Sequence, residues 1–447
     1  MEKTKNATKG GFLKGAAWIA AGGFIAKIIG ALYRIPLTNL IGGHGLGLYQ
    51  MVYPVYCLLL TVSATGIPAS IAKLTAERLG KGQGDKPLFT TAMKLFLSIG
   101  FCGAVVMAII APFLAHAQGT TEVLGGYYAL APSVLLVSAI SVFRGWFQGK
   151  NDMLPTALSE VCEQVVKVAF GLLFAYLFRE NVALAVTFLL LAVSLSELAA
   201  LCLMLLLFRR LPAHGKLKNG GGRVAMKTVL SLSIPVTFSS ILLPISSLID
   251  SVFAVRLLSA YSQDAVTLYG LFAGGAVTVI NLPVSICYGI AAASVPAVAT
   301  AAANGKGVKR RLFFALGITV LIAAPCAVGL YLFAEPAAKI VFRSLQGDEL
   351  TTLIALIKMF SISALTLSCV QTLSACLTAQ GKPQHSAFSM LIAVTVKTVA
   401  YSFWLRNAEI SIFGLARATN LCYLVAFLLD LVYNLIVSKS KGEKRTE

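Results

Sequence analysis

The sequence is dominated by long, almost uncharged apolar segments that follow one another from its first residues to its last. Of its 447 residues, 57% are hydrophobic and only 12% are charged. Soluble domains carry about 25% charged residues, whereas about 20 consecutive apolar residues suffice to cross a bilayer as a helix. These segments therefore predict an all-α integral membrane protein, and they are too long for the strands of a porin.

The apolar segments predict about twelve transmembrane helices. Several are longer than the bilayer is thick, which indicates tilted helices or helices that extend beyond the membrane. Their predicted bounds are 11–33, 46–70, 88–114, 124–146, 153–178, 183–208, 227–257, 265–301, 311–334, 350–378, 385–405 and 412–437.

The distribution of Lys and Arg predicts the orientation of the chain. With a cytoplasmic N-terminus, 24 of the 37 basic residues fall in cytoplasmic segments, six in outer segments and seven within spans. Basic residues concentrate on the cytoplasmic side of membrane proteins. We therefore expect a multi-pass protein of the bacterial cytoplasmic membrane with both termini in the cytoplasm. The net charge of +19 then reflects topology, and nucleic acid is not an expected partner.

The two halves of the chain share four short motifs in the same order, at offsets of 220 to 232 residues. The repetition predicts two six-helix lobes related by a pseudo-twofold axis along the membrane normal. The lobes would comprise residues 1–208 and 227–447, joined by a basic cytoplasmic linker at 209–226. The paired motifs are Leu48-Tyr49 with Leu268-Tyr269, Pro68 with Pro296, Gly80-Lys81-Gly82 with Gly305-Lys306-Gly307, and Gln148-Gly149-Lys150 with Gln380-Gly381-Lys382.

Signatures of enzymes are missing from the sequence. No Gly-Lys pair is followed by Ser or Thr, so there is no P-loop for ATP, and there is no HExxH or G-x-S-x-G motif. The spacing of the four histidines supports no metal site. The glycine-rich stretch Gly42–Gly47 follows no strand, and we interpret it as a flexible outer turn. The chain is predicted to be neither an enzyme nor a cofactor-binding protein.

Ionisable residues inside the spans are the best indicators of function. Each costs about 2.5–3.5 kcal/mol at the bilayer centre, so it should face a cavity or a partner. In the first span, Lys27 and Arg34 share one helical face with small residues, which predicts a cationic cavity wall. Alternatively, this face packs against another helix, with Lys27 neutralised and Arg34 reaching outward. The small residues of the face are Ala20, Gly23, Gly30 and Ala31.

The fifth span carries a polar stripe on an otherwise apolar helix, and this stripe must face the interior of the bundle. Glu163 and Lys167 are spaced to pair with each other at i and i+4. The stripe is predicted to contact a substrate headgroup, and bracing between helices is the alternative. In the eleventh span, Lys397 lies within two residues of the position that corresponds to Lys167 in the repeat, and it is assigned to the same cavity. The members of the stripe are Thr156, Glu160, Glu163, Gln164, Lys167 and Gly171.

Two further spans add candidate residues. In the second span, Tyr49, Tyr53 and Tyr56 recur at helical spacing beside Gln50. They are assigned to the substrate cavity or, alternatively, to packing or an interfacial aromatic belt. In the seventh span a single acid is accompanied by hydroxyl groups, a combination that can bind Na⁺ or a proton. The acid could equally pair with a basic residue of another helix. These ion-site candidates are Asp250, Ser246 and Ser247.

Several stretches of the sequence carry a resemblance to known proteins. In the first half they are residues 27–42, 47–50 and 65–68, and in the second half they are Leu248–Ser251, Leu268–Gly270, Asn281–Pro283 and Val295-Pro296. These stretches resemble stage V sporulation protein B-type transporters. Such transporters are polysaccharide-transport members of the MOP exporter superfamily, related to the lipid II flippase MurJ and to multidrug MATE exporters.

The resemblance implies two lobes around a central cavity and transport by alternating access. The substrate would be an undecaprenyl-diphosphate-linked glycan or a peptidoglycan precursor, moved outward by an ion gradient or the membrane potential. Na⁺ or a proton would then be the coupling ion, and cell-wall synthesis enzymes would be expected partners. The alternative is a MATE-like, cation-coupled exporter of drugs or organic cations, which calls for a net acidic cavity.

Overall fold

The computed structural model is helical almost throughout. It describes residues 2–211, 217–218, 220, 222, 225–304 and 307–443. The side chain of Lys27 lies outside the described residues. Contacts between residues divide the chain into two units. The first contains Met1–Ile41 and Met51–Leu248, and the second contains Gly42–Gln50 and Ile249–Glu447.

The first unit is a bundle of long helices in which α4, α5 and α6 pack against one another and α3 packs against α4. A π-helical turn at Thr61–Thr65 separates its first two helices. The helices are α1 (Glu2–Leu60), α2 (Ile67–Gly80), α3 (Lys86–Ala117), α4 (Leu124–Gly149), α5 (Leu154–Leu177), α6 (Val182–Arg209), α7 (Met226–Ser240) and α8 (Leu242–Ile249).

The glycine-rich stretch in α1 is helical, so the predicted flexible turn at Gly42–Gly47 is wrong. Gly42 alone leaves the helical conformation, with φ 65° and ψ −171°. Glycine adopts positive φ without steric cost, and one such residue is enough to redirect the helix. The first two predicted spans are consequently joined without a loop.

The second unit is also helical and centres on α14. This helix packs against α11, α12 and α16, while α15 packs against α16. Two π-helical turns interrupt its helices, at Asp250–Ala254 and Leu271–Ala276. The helices are α9 (Val255–Leu258), α10 (Ala265–Gly270), α11 (Val277–Asn304), α12 (Val308–Leu332), α13 (Ala334–Val341), α14 (Gly347–Ala379), α15 (Pro383–Trp404) and α16 (Phe413–Glu443).

Within the described residues, nine helical segments are long and apolar enough to span a membrane. The predicted spans 88–114 and 124–146 fall inside α3 and α4. The count of twelve stays a prediction because four predicted spans depart from the pattern of single apolar helices. The first two fall in one segment, Ile28–Gly80, which bends at Gly42. The fifth, α5, carries several charges, and the seventh is divided among α7, α8 and α9.

The border between the two units lies at Leu248, beyond the predicted linker at 209–226. The reason is that α7 packs against α2 and against the π-helical turn before it. Gly66 makes this approach close, because a Cβ there would lie 2.5 Å from the carbonyl oxygen of Ser233.

The described part of the linker is held on the first unit by backbone hydrogen bonds. Asp85 is fully buried and accepts a hydrogen bond of 2.7 Å from the backbone N–H of Lys218. The backbone N–H of Lys86 donates in turn to the Lys218 carbonyl, at 3.1 Å. The Arg78 guanidinium donates to the carbonyls of Gly220 and Gly222, at 3.4 and 3.3 Å.

Two side chains of the α4 end complete the surroundings of Asp85. Trp146 Nε1 donates to Asp85 Oδ2 at 2.8 Å, and Lys150 Nζ lies 3.0 Å from the same oxygen. The Lys150 ammonium also lies 4.0 Å from the centre of the Trp146 ring, a cation–π contact. Burial would raise the pKa of Asp85, but the hydrogen bonds from Lys218, Lys150 and Trp146 lower it below its usual range.

Candidate functional site

The main polar site in the first unit is built around an ion pair between α4 and α5. Arg144 Nη2 lies 3.3 Å from Glu163 Oε2, and both side chains are largely buried. Arg144 Nε also donates to Ser159 Oγ at 2.9 Å, one helical turn before Glu163. The predicted pairing of Glu163 with Lys167 is therefore replaced by a pair between two helices, because the guanidinium of Arg144 reaches both groups at once.

A second carboxylate lies on α6 beside this pair. Glu197 is buried, with 4% of its surface exposed, and it interacts electrostatically with Glu163, Arg144 and Lys167. The hydroxyl of Tyr56 is its hydrogen-bond partner. Lys167 in turn interacts electrostatically with both acids, more strongly with Glu163 than with Glu197. Four helices, α1, α4, α5 and α6, thus place charges of both signs in one network. We call it the first-unit polar cluster, and its members are Arg34, Tyr56, Arg144, Ser159, Glu160, Glu163, Gln164, Lys167 and Glu197.

Helix α1 contributes to the cluster through the face on which the sequence analysis placed Arg34 together with small residues such as Gly30. Gly30 lies against Gln164, since a Cβ on Gly30 would be 3.3 Å from Gln164 Oε1. The Tyr33 hydroxyl fits over Gly171, where α5 has no side chain. Arg34, on the same stretch of α1, interacts electrostatically with Lys167. The small residues of α1 therefore bring its backbone next to the polar stripe of α5.

The predicted aromatic stripe is divided between the two units. Tyr53 belongs to the first unit and packs on Tyr56, with ring centres 5.7 Å apart. Tyr49 and Gln50 belong to the second unit. There, Gln50 Nε2 donates to the carbonyl of Ala273 at 2.9 Å, which places this side chain on a π-helical turn. Such turns are frequent at functional sites.

In the second unit, the predicted ion-site acid and the predicted cavity lysine meet. Lys397 Nζ lies 2.6 Å from Asp250 Oδ2, and both residues are buried. Asp250 is the first residue of a π-helical turn. Ser246 is buried one turn earlier, whereas Ser247 is exposed. The carboxylate that was predicted to hold a cation thus faces the ammonium group of the chain itself.

Sequence analysis missed three members of the polar cluster, Arg144, Ser159 and Glu197. Arg144 was counted as a cytoplasmic residue because it lies close to the end of a predicted span. Glu197 was overlooked although it is an acid inside the sixth predicted span, and the cost of burying a charge in a membrane would have drawn attention to it. Among the described residues, no group of three or more His, Cys, Asp or Glu could hold a metal ion.

Known proteins of similar sequence identify the family of this chain. The family described as Polysaccharide biosynthesis protein matches residues 12–302. Stage V sporulation protein B of Bacillus subtilis (strain 168) is 28% identical over 347 residues, or 74% of this chain and 67% of that protein. The lipid II flippase MurJ of the same organism is 23% identical over 451 residues, or 94% of this chain and 82% of that protein.

A solved structure shows the same fold. It is the inward-facing conformation of a multidrug resistance MATE family transporter of the MOP superfamily, with a TM-score of 0.75 and 16% identity. The likeness covers 92% of this chain and 99% of the transporter. Because the family match extends over more than half of its length, the chain belongs to the Polysaccharide biosynthesis protein family, and it has the fold of this multi-helix membrane transporter.

Proposed function

We propose that the protein is an alternating-access flippase of the bacterial cytoplasmic membrane. Its substrate would be an undecaprenyl-diphosphate-linked cell-wall or polysaccharide precursor, carried from the cytoplasmic side to the outer side. The observation that carries the proposal is the basic half of the first-unit polar cluster. Arg34, Arg144 and Lys167 come from three different helices of a mainly apolar bundle. A diphosphate is the substrate group that such cations recognise.

The ion pair that holds Arg144 in the cluster could be exchanged reversibly for a contact with the substrate diphosphate. Arg144 is bound to Glu163 at 3.3 Å, with 15% and 19% of the two side chains exposed. An incoming diphosphate would compete with Glu163 for the Arg144 guanidinium, since phosphate oxygens match its two parallel N–H donors. Glu163 could then interact with Lys167, four residues further along α5. Binding would thus exchange one ion pair for another, and Glu163 would keep a basic partner.

Family membership supports a lipid-linked glycan over a soluble substrate. The matched family is described by polysaccharide biosynthesis, and one relative is named a lipid II flippase. Because the sequence contains no P-loop, we assign the driving force to an ion gradient or to the membrane potential. Enzymes of cell-wall synthesis would deliver the precursor and consume it after transport.

A MATE-like exporter of organic cations is the second candidate, and one observation favours it. The first-unit polar cluster contains three carboxylates, Glu160, Glu163 and Glu197, which equal its basic residues in number. A cationic drug could bind this acidic half as a diphosphate would bind the basic half. The two functions therefore differ in which half of the cluster transport requires.

Purified protein in liposomes tests the proposal directly. We expect it to move fluorescent undecaprenyl-diphosphate-linked glycans between leaflets and not to accumulate cationic dyes. Arg144→Ala should abolish this movement. Lys94→Ala, which removes an exposed cation of α3, should retain it. Dye transport without lipid movement, lost in Glu197→Gln, would establish the exporter instead.

A further inference from the structure

The second unit contains a buried carboxyl group without a basic partner. Asp430 lies on α16 with 1% of its surface exposed. Its Oδ1 atom has no hydrogen-bond partner among the described residues. Two other buried acids form ion pairs, Asp85 with Lys150 and Asp250 with Lys397. A third, Glu197, interacts electrostatically with Arg144 and Lys167. An ionised carboxylate in an apolar bundle is costly unless it is paired, so the surroundings of Asp430 must make it neutral or supply a cation.

The hydrogen bonds around Asp430 match the neutral, protonated acid. Its Oδ2 lies 3.3 Å from Ser386 Oγ, and Ser386 Oγ lies 2.6 Å from Ser374 Oγ, to which it donates. A hydroxyl group has one hydrogen, so Ser386 cannot donate to Ser374 and to Asp430 together. Ser389 also faces Asp430, but its hydroxyl donates to the carbonyl of His385 at 3.0 Å.

A proton on Asp430 completes this arrangement. The acid then donates from Oδ2 to Ser386, and Ser386 keeps its hydrogen bond to Ser374. The ionised carboxylate would instead require Ser386 to turn its hydrogen towards Asp430, and the contact of 2.6 Å would then need Ser374 as its donor. The geometry therefore links the protonation of Asp430 to contacts between α14, α15 and α16.

The titratable and basic residues on the helices packed against α16 leave Asp430 without a charged partner among the described residues. From α15 comes His385, whose Nδ1 is buried without a partner in the described chain and whose ring packs edge-on against Tyr433 of α16, 5.0 Å away. At the start of α15, Lys382 is exposed. From α14 comes the buried thiol of Cys376. The basic residues at the start of α12, all exposed, are Lys309, Arg310 and Arg311.

Neutral amides close the site towards the turn between α14 and α15. Gln380 Nε2 donates to Asn434 Oδ1 at 2.9 Å. Asn434 Nδ2 donates to the carbonyls of Leu373 and Asp430, at 3.0 and 2.8 Å. These bonds hold α14 and α16 in register beside the acid. In the predicted topology, this end of the bundle is cytoplasmic.

We propose that Asp430 is a proton-binding site and that its proton couples transport to the proton gradient. Uptake forms the Oδ2–H bond from the carboxylate and one proton, and release breaks that bond, with no exchange of electrons. Asp250 is less suited to this task because the Lys397 ammonium holds its carboxylate at 2.6 Å. The coupling role rests on the proposed function, whereas the protonation site itself does not.

Infrared difference spectroscopy tests the site without any substrate. Purified wild-type protein should show the carbonyl band of a buried, protonated carboxyl group that changes with pH. The band should disappear in Asp430→Asn and persist in Asp348→Asn, which alters an exposed acid at the start of α14. An unchanged band in Asp430→Asn would overturn the assignment.

Transport in liposomes tests the coupling. A pH gradient should accelerate wild-type transport by up to about tenfold per pH unit, as expected for the titration of one group. Asp430→Asn, which resembles the protonated acid, should lose this response while still equilibrating substrate between leaflets. Ser386→Ala should shift the pH midpoint and keep the response. Transport driven by a Na⁺ gradient alone, with wild-type behaviour in Asp430→Asn, would overturn the coupling role. Because the infrared band needs no substrate, a failure of the flippase proposal would leave that test intact.

Discussion

Asp250 and Lys397 form a buried ion pair between residues 147 positions apart in the sequence, with Oδ2 and Nζ separated by 2.6 Å. Only 11% of the Asp250 side chain and 4% of the Lys397 side chain are exposed. The pair joins the π-helical turn that follows α8 to the middle of α15. Removing one member of such a pair strands a buried charge, whereas replacing both members by apolar residues is often tolerated.

The first prediction follows from this asymmetry. Asp250→Asn and Lys397→Met should each lower the free energy of unfolding by about 3–5 kcal/mol. The double variant Asp250→Leu with Lys397→Met should recover most of the loss. Thermal unfolding of purified protein in detergent measures the effect, and Lys358→Met, at an exposed position on α14, is the control. Wild-type stability in both single variants would contradict a stabilising ion pair.

The second prediction concerns the pair of Arg144 and Glu163. Glu163→Gln should reduce transport less than Lys167→Ala, because the Arg144 guanidinium keeps its bond of 2.9 Å to Ser159 when the carboxylate is neutralised. Arg144→Lys should lose most of the activity, since an ammonium group cannot contact Ser159 and a phosphate with fixed parallel donors. Initial transport rates at equal protein abundance give the answer. Equal activity in Arg144→Lys and wild type would argue against recognition by the guanidinium group.

The third prediction concerns the cations of the first helix. If Lys27 and Arg34 attract a diphosphate, Lys27→Ala and Arg34→Ala should each abolish transport while protein abundance in the membrane stays near normal. Arg34→Lys should keep part of the activity, because the charge remains without the bidentate geometry. If these residues only brace helices, activity and thermal stability should fall together. Full transport by the well-expressed double alanine variant would refute a cationic substrate site.

Much of the helical framework could be predicted because it depends on local composition. The predicted span 124–146 corresponds to Leu124–Gly149, and 385–405 corresponds to Pro383–Trp404. Each reflects the need to bury a continuous apolar segment. Gly42 shows the limit of such patterns, because glycine-rich sequence is compatible with a loop and with a helix that changes direction at one residue. Packing around the segment decides between them, and sequence spacing does not express that packing.

The pairing of charges could not be predicted because it depends on which helices become neighbours. Spacing along α5 favoured Glu163 with Lys167, yet Arg144 of α4 is the partner at 3.3 Å. A contact between helices offers the bidentate donors of an arginine, whereas the pair along one helix is worth only about 0.5 kcal/mol or less. Similarly, the sequence showed that Asp250 needed a cation but left open whether a bound ion or a distant lysine would supply it.

The fourth prediction uses the low pKa of Asp85. A carboxyl group whose pKa is lower in the folded state stabilises the fold above its unfolded pKa of about 3.9, and this contribution disappears as the pH falls through the folded value. The stability difference between wild type and Asp85→Asn should therefore be constant between about pH 5 and 7 and vanish only under more acidic conditions.

Thermal unfolding across this pH range measures the contribution of Asp85, and Asp348→Asn is the matched control at an exposed acid. Trypsin provides a second readout, since Asp85→Asn should accelerate cleavage within the basic linker at 209–226. A difference that disappeared already near pH 6 would show that another group is responsible.

The fifth prediction is topological. A cysteine introduced at Asn219, in a background without the nine native cysteines, should resist a membrane-impermeant thiol reagent in intact cells. It should react after lysis, because the linker is predicted to be cytoplasmic. A cysteine introduced at Arg179, in a predicted outer segment, should react in both conditions. Labelling at Asn219 in intact cells would reverse the predicted orientation.

The docking of the linker on Asp85 and Arg78 has a consequence for how this segment can vary. The linker atoms that make these hydrogen bonds belong to the backbone: the N–H and C=O of Lys218 and the carbonyls of Gly220 and Gly222. A backbone contact does not depend on the identity of the side chain, but it does depend on the number of residues between contacts. Apart from Gly220, whose φ of 115° favours glycine, single substitutions along the linker should leave these contacts in place. A single insertion or deletion between Lys218 and Gly222 would displace the hydrogen-bonding groups from their partners. The spacing of the anchors therefore matters more for docking than the side chains between them.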